Sequence, residues 1–237
     1  MMKKISLPGA TWIDIDNPTE KDLDYLRENF SVHPLAVEEF ASPTMRARAS
    51  QYSDGIFLSV HIPLYNIDER TTYSAELDII LTETHLVTGH RTDIYQLHEL
   101  FEELAKDKSA RGNSGTTDLP VASPAGLLYL VLDRLINSCF GRLDRIAANI
   151  DRIEDGVFHD NEKGMVKEIS VVKRDILNFR RTIMPQRSIL ESLLQKEEKF
   201  IPRELHPYIR DLIGANIRLW NTLESQKETI ESLEDTN

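Results

Sequence analysis

Two adjacent carboxylates, Glu38 and Glu39, sit in the second turn of a short helical segment that opens at His33-Pro34. Hard divalent cations such as Mg²⁺ take oxygen ligands and often keep part of their water, so carboxylates gathered from different chain segments are the expected site for one. Asp144, Asp151 and Asp155 are also spaced to share one helix face. They lie opposite an apolar stripe and read as a solvated face, although an acidic surface of this kind concentrates cations by its field. His98 and Glu102, four apart on a helix, have a metal-holding spacing. Their reading is structural, because His85 and His90 fall on strands with no evident way to complete a ligand set. Cys139 is the single Cys and lies on an apolar helical stripe, which makes it core rather than nucleophile.

Catalytic motifs are missing. The chain has no Gly-x-Ser-x-Gly, Walker or dinucleotide pattern, and Gly112 to Gly115 lacks the following Lys and the strand-to-helix setting of a phosphate loop. The reading is of a protein that is not an enzyme. One Cys also rules out an intramolecular disulfide and a Cys-based zinc cage, and suits a reducing compartment. Across 237 residues, 28 Lys and Arg face 39 Asp and Glu, for a formal net charge of −11. That balance argues against nucleic acid as a partner, since phosphate-backbone binders cluster basic residues to displace counterions. Met1 to Pro8 holds no apolar run of a secretory signal. The longest apolar stretch, Gly126 to Leu132, falls far short of the roughly 18 to 20 residues of a membrane span. The expectation is a soluble chain of cytoplasmic type.

The elements that must position these residues come in two patterns, separated by a Gly, Ser, Thr and Pro loop from Gly112 to Pro124. Residues 1–111 predict an α/β domain, a mixed sheet with flanking helices. Trp12 to Ile15 reads as a strand. Asn17 is the expected N-cap of the next helix, with Pro18 at N1 and Glu20 at N3, and Leu23, Leu26 and Phe30 form its buried face. Ile56 to Ile62 and Leu77 to Leu81 alternate as strands, and Leu86 to His90 returns after Thr82 to His85 as a hairpin. Ile94, Leu97, Phe101 and Leu104 give an amphipathic helix. Beyond the 112–124 linker, residues 125–200 predict a long antiparallel helical hairpin, Ala125 to Val157 against Met165 to Gln195. A break at Asp160 to Gly164 divides the two, and Leu135, Leu143, Ile150, Ile176 and Ile183 are buried in the seam. Residues 201–237 predict a third long helix, with a stripe that includes Leu205, Tyr208, Leu212, Leu219, Thr222, Gln226 and Ile230. No Gly or Pro stops it, so it is expected either to be cut short or to continue into another element; a helix this long belongs to a coiled coil, a stalk or an extended hairpin.

His33-Pro34-Leu35-Ala36-Val37-Glu38-Glu39-Phe40 is similar to a segment of the CorA family of divalent-cation transporters. Trp12-Ile13-Asp14, Leu77 to Leu81 and Leu86-Val87-Thr88 resemble the family's strand segments. Arg180 to Arg187 resembles its proline inside the second long helix, flanked by basic residues. The resemblance spans nearly the whole chain. It implies a cytoplasmic domain at the inner face of the plasma membrane, ending just before two membrane helices and a Gly-Met-Asn pore motif. It also implies a homopentamer, a number that helical spacing alone does not give.

On that resemblance Glu38, Glu39, Asp133 and Asp211 match positions where the family builds divalent sites between adjacent protomers. Asp133 lies early in the first long helix, and Asp211 lies early in the third, beside the Tyr208/Leu212 seam. Glu39 stands where the family commonly has Asp. The implied function is regulation of a transporter for Mg²⁺, or for Co²⁺, Ni²⁺ or Zn²⁺, with the cation both sensed and carried. The alternative is a stand-alone helical scaffold that recruits a partner and has no part in transport.

Overall fold

The computed structural model describes residues 1–30, 32–44, 46–106, 123–158 and 162–236. Six strands form one mixed sheet in the order β1-β2-β6-β5-β4-β3. The strands are β1 (Met2–Leu7), β2 (Ala10–Asp16), β3 (Arg48–Gln51), β4 (Ile56–Asn66), β5 (Thr71–Leu81) and β6 (His85–His90). Neighbours pair antiparallel except β2 with β6, which run parallel with Asp14 opposite Thr88 and Asp16 opposite His90. The period-2 alternation divides the sheet between two cores. Ile13, Ile15, Phe57, Ile80 and Val87 face helices α1 (Glu20–Asn29) and α2 (Pro34–Ala41). Trp12, Leu58, Leu77, Ile79 and Leu86 join the larger cluster on the other face, with residues of α3 (Tyr95–Lys106) and of the long helices.

The first helix starts two residues later than its sequence signal. Asn17 adopts a left-handed φ of 51°, and Thr19 is the N-cap. Asp22 closes the end by accepting from the Thr19 amide at 2.9 Å and its hydroxyl at 2.6 Å, which satisfies an orphan donor, while its own amide donates to the Thr19 carbonyl at 2.9 Å. Leu23 and Leu26 are buried, as the pattern requires, with Phe30 packed beside them. The β5–β6 hairpin and α3 form where expected. The β4–β5 ladder runs beyond Ile62, from Asn66 opposite Thr71 to Ile56 opposite Leu81.

The long helices are α4 (Pro124–Ser138), α5 (Phe140–Phe158), α6 (Glu162–Ile183), α7 (Gln186–Leu193) and α8 (His206–Thr236). Of the anticipated linker, 112–122 lie outside the described residues; Ser123 caps α4, its Oγ accepting from the Gly126 amide at 3.0 Å. The expected first helix is interrupted at Cys139, whose near-helical backbone keeps the change local. The second is divided at Met184-Pro185, where proline lacks the N–H to continue the ladder. Of the predicted break, 160–161 lie outside the described residues, and α6 has already begun at Glu162, so Gly164 is helical. A 3₁₀ turn, Arg203–Leu205, leads into α8, which at 31 residues is about 46 Å long. Helix α8 packs on α4, α5, α6 and α7, and α6 packs on β4 and β5. Leu135, Leu143, Ile150, Ile176 and Ile183 are all buried. One stripe position needs correcting: Thr222 is exposed and Leu223 is fully buried in its place. The inward positions run 219, 223, 226, 230, 233, the steps of three and four that a 3.6-residue repeat demands.

Candidate functional site

Helix α2 is fixed at its start by His33, whose ring Nδ1 accepts from the Leu35 amide at 3.3 Å, and by Pro34 at the first turn. Ala36, Val37 and Phe40 are buried against the sheet, and this turns Glu38 out to solvent and leaves Glu39 half-buried. Glu39 is already engaged. Its Oε1 pairs with Arg48 of β3 at 2.8 Å and accepts from the Tyr52 hydroxyl at 3.2 Å, while Oε2 is buried with no hydrogen-bond partner among the described residues. Burial, then the Glu39 charge, push the Tyr52 phenol above its ordinary pKa. Arg48 and Tyr52 carry no sequence signal for this role: β3 is short, polar and half-buried throughout.

Asp133 and Asp211 lie on α4 and α8, which pack together on the other side of the sheet. Asp133 of α4 accepts from Asn137 Nδ2 at 2.8 Å, and Asp211 lies exposed on α8. Beside them the rings of Tyr129 and Tyr208 pack with centroids 5.3 Å apart. The Asp133 carboxyl is raised by burial and further by the Asp211 charge, against the Asn137 hydrogen bond. The Tyr129 phenol is raised by burial and then by both carboxylates. Two like charges so placed repel, and a divalent cation relieves that repulsion. Within one chain Glu38 and Glu39 are not part of this group, because α2 covers the opposite face of the sheet.

Asp144, Asp151 and Asp155 are exposed on α5, as their spacing implies, and burial pushes the Cys139 thiol up to about 12. His90 departs from its sequence reading. It does find companions: Asp14 lies 3.5 Å away and His98 packs on it with ring centroids 5.1 Å apart. The parallel β2–β6 register and the turn from β6 into α3 bring the three together. The available signal was the His-x₇-His spacing across a strand-to-helix turn.

A mixed sheet covered on both faces and extended by long packed helices, with Asp133 and Asp211 on two of those helices, defines the class of fold to which the chain belongs. The chain belongs to the CorA-like Mg²⁺ transporter protein family, whose model matches residues 8–237. It is 26 % identical over 226 residues to the cobalt/magnesium transport protein CorA of Thermotoga maritima, an alignment that covers 95 % of this chain and 62 % of that protein. In fold it is similar to the soluble domain of CorA from Methanocaldococcus jannaschii, with TM-score 0.81 at 18 % identity over 95 % of this chain and 86 % of that one. The ZntB cytoplasmic domain from Vibrio parahaemolyticus gives TM-score 0.78 at 16 % identity, with 99 % and 95 % covered. Among the described residues no helix is long and apolar enough to cross a membrane.

Proposed function

We propose that this chain is the cation-sensing region of a longer divalent-cation transporter, held at the cytoplasmic face of the plasma membrane and working there as a homopentamer. The observation that carries the reading is the pair Asp133 and Asp211 on the packed helices α4 and α8, beside the Tyr129–Tyr208 ring contact, where Asp211 is exposed and its charge raises the Asp133 carboxyl. In the assembly, Glu38 of an adjacent protomer approaches this pair, with Glu39 behind it, and Mg²⁺ or Co²⁺ bridges the carboxylates. Glu38 suits the bridging role better than Glu39, because it is exposed whereas Glu39 is held by Arg48 and Tyr52. Bound cation stabilises the closed assembly; its loss lets the α8 helices separate.

The test is thermal unfolding of the concentrated chain with and without Mg²⁺. An ion at 100 times its dissociation constant adds about 2.7 kcal/mol by mass action, so the melting temperature rises. Asp211→Asn abolishes the rise and Glu38→Gln reduces it. Both residues are exposed, so neither change removes core packing. An equal rise in wild type and Asp211→Asn would sink the site. Native mass spectrometry of the membrane-anchored protein tests the assembly, and a dimer or trimer as the sole species contradicts the pentamer.

A further inference from the structure

We infer that Asp14, His90 and His98 form a second metal site, contained within one chain and suited to a borderline dication such as Zn²⁺ or Co²⁺ rather than to Mg²⁺. The inference stands on the hydrogen bonds that surround these three residues and does not depend on the transport reading.

Each imidazole has its proton position set by what its outer nitrogen touches. His90 Nδ1 lies 2.9 Å from the Thr92 carbonyl, which can only accept, so Nδ1 carries the proton and Nε2 of the neutral ring presents a lone pair. His98 Nδ1 lies 2.9 Å from the Asp93 carboxylate, which orders that ring in the same way. Both Nε2 atoms are buried and have no hydrogen-bond partner among the described residues. They converge on one oxygen: Asp14 Oδ2 is 3.5 Å from His90 Nε2 and 4.0 Å from His98 Nε2. The other oxygen, Oδ1, is fixed by the Thr88 hydroxyl at 2.6 Å, and Thr88 is itself held by the Trp12 indole N–H at 2.9 Å.

Three electron-pair donors thus point into one space with their outer atoms already tied back. A carbonyl or carboxylate on the far nitrogen is the arrangement that orients metal-bound histidines. The three donor atoms all lie within 4.8 Å of one another. Donors of a tetrahedral site with bonds of 2.0–2.1 Å stand about 3.3 Å apart, so closing the set takes approaches of about 1.5 Å or less between donors. Two imidazoles and one carboxylate with a fourth position for water favour Zn²⁺ or Co²⁺; Mg²⁺ prefers oxygen ligands and keeps its waters. His90 is fully buried and Asp14 nearly so, whereas the His98 side chain is 29 % exposed. Entry is therefore from the His98 side, through a depression lined by Tyr95, Glu99 and Glu102. The alternative occupant of the space is a proton shared between an imidazole and Asp14.

Metal analysis and titration calorimetry of the 237-residue chain with Zn²⁺ and Co²⁺ separate the two. The expected result is one ion per chain, with the ligand-field absorption of four-coordinate Co²⁺, in a background carrying Asp211→Asn to remove the carboxylate site. His98→Gln, at a partly exposed helical position, should remove the ion and the Co²⁺ spectrum while the fold is kept by circular dichroism. Asp93→Asn should weaken binding about 10- to 100-fold through the outer hydrogen bond alone. Unchanged stoichiometry and spectrum in His98→Gln, or no Co²⁺ bound by the Asp211→Asn background at all, overturns the inference and leaves the shared proton as the occupant. Failure of the carboxylate site to respond to Mg²⁺ leaves this result untouched, because Mg²⁺ is not the probe here.

Discussion

At the scale of single residues, burial decides which carboxylates can respond to an ion and which respond to pH. Asp78 of β5 is 1 % exposed, and neither of its oxygens has a hydrogen-bond partner among the described residues. Burial, and then the charge of Glu76, push its carboxyl up to about 8, although Arg91 Nη1 lies 3.6 Å away. Its ordinary value is 3.8, so the folded state holds a proton that the unfolded state releases between those two pH values. The resulting stability is fully present below the unfolded pKa and is lost as pH rises through about 8. Urea unfolding of wild type and Asp78→Asn at roughly pH 5 and pH 8 measures this. The wild type should lose stability relative to the variant at the higher pH, and parallel behaviour would remove Asp78 as the cause. Sequence could point to Glu38, Glu39, Asp133 and Asp211 as carboxylates, but not to their partners. The Arg48 pair arises from a polar four-residue strand, and the meeting of Asp14 with His90 depends on a parallel register linking residues 76 apart, which no local pattern encodes.

At the scale of elements, the seat of α2 depends on a missing side chain. A Cβ added to Gly89 of β6 would stand 2.2 Å from Phe40 Cζ and 2.7 Å from Cε1, well inside contact distance, and Phe40 is fully buried. Gly89→Ala should therefore push Phe40 and its helix outward at a cost of about 1–3 kcal/mol. Chemical denaturation reads the loss, and Phe40→Leu in the same chain should recover part of it by vacating the ring. A neutral Gly89→Ala would mean that the two elements are less tightly apposed. Strands with clear alternation, such as Leu77 to Leu81, are legible because each face meets a core. β1 is not, because only Ile5 and Leu7 of its six residues are buried; pairing along β2 makes the strand. The outer half of β4 was equally hidden by Pro63 and Tyr65. Asn66 closes its turn through Oδ1, which accepts from the Asp68 and Glu69 amides at 3.0 Å. The long helices are legible as stripes, whereas their interruptions at Cys139 and Met184-Pro185 are local backbone events that a stripe passes over.

At the scale of the molecule, the two sequence patterns separated by the 112–124 segment share one core, since Trp12, Leu58 and Leu77 belong to the same apolar cluster as Leu143, Ile176 and Leu219. A buried polar joint ties them as well. Asp175 of α6 accepts from both the amide and the hydroxyl of Thr72 in β5 at 2.6 Å and pairs with Arg142 of α5. The Arg142 guanidinium lies over the Tyr65 ring of β4 at 3.3 Å from its centroid. Arg142 and Asp175 side chains are only 11 % and 5 % exposed, so removing the acid strands a guanidinium away from water, a loss of about 3–5 kcal/mol. A shared core and a shared ion pair predict that sheet and helices unfold together in one transition. With Trp220→Phe, fluorescence reports only Trp12, packed on Phe101 beneath the sheet, while far-ultraviolet circular dichroism reports mainly the helices. The two midpoints should coincide, and Asp175→Ala should lower both by the same amount. Replacing the pair by Arg142→Met with Asp175→Asn should recover much of the loss, because no charge is then left without a partner and the Asn side-chain oxygen can still accept from Thr72. If Asp175→Ala moves the helical signal and leaves the Trp12 signal in place, the sheet and the helices are separate folding units and the joint is a surface contact between them.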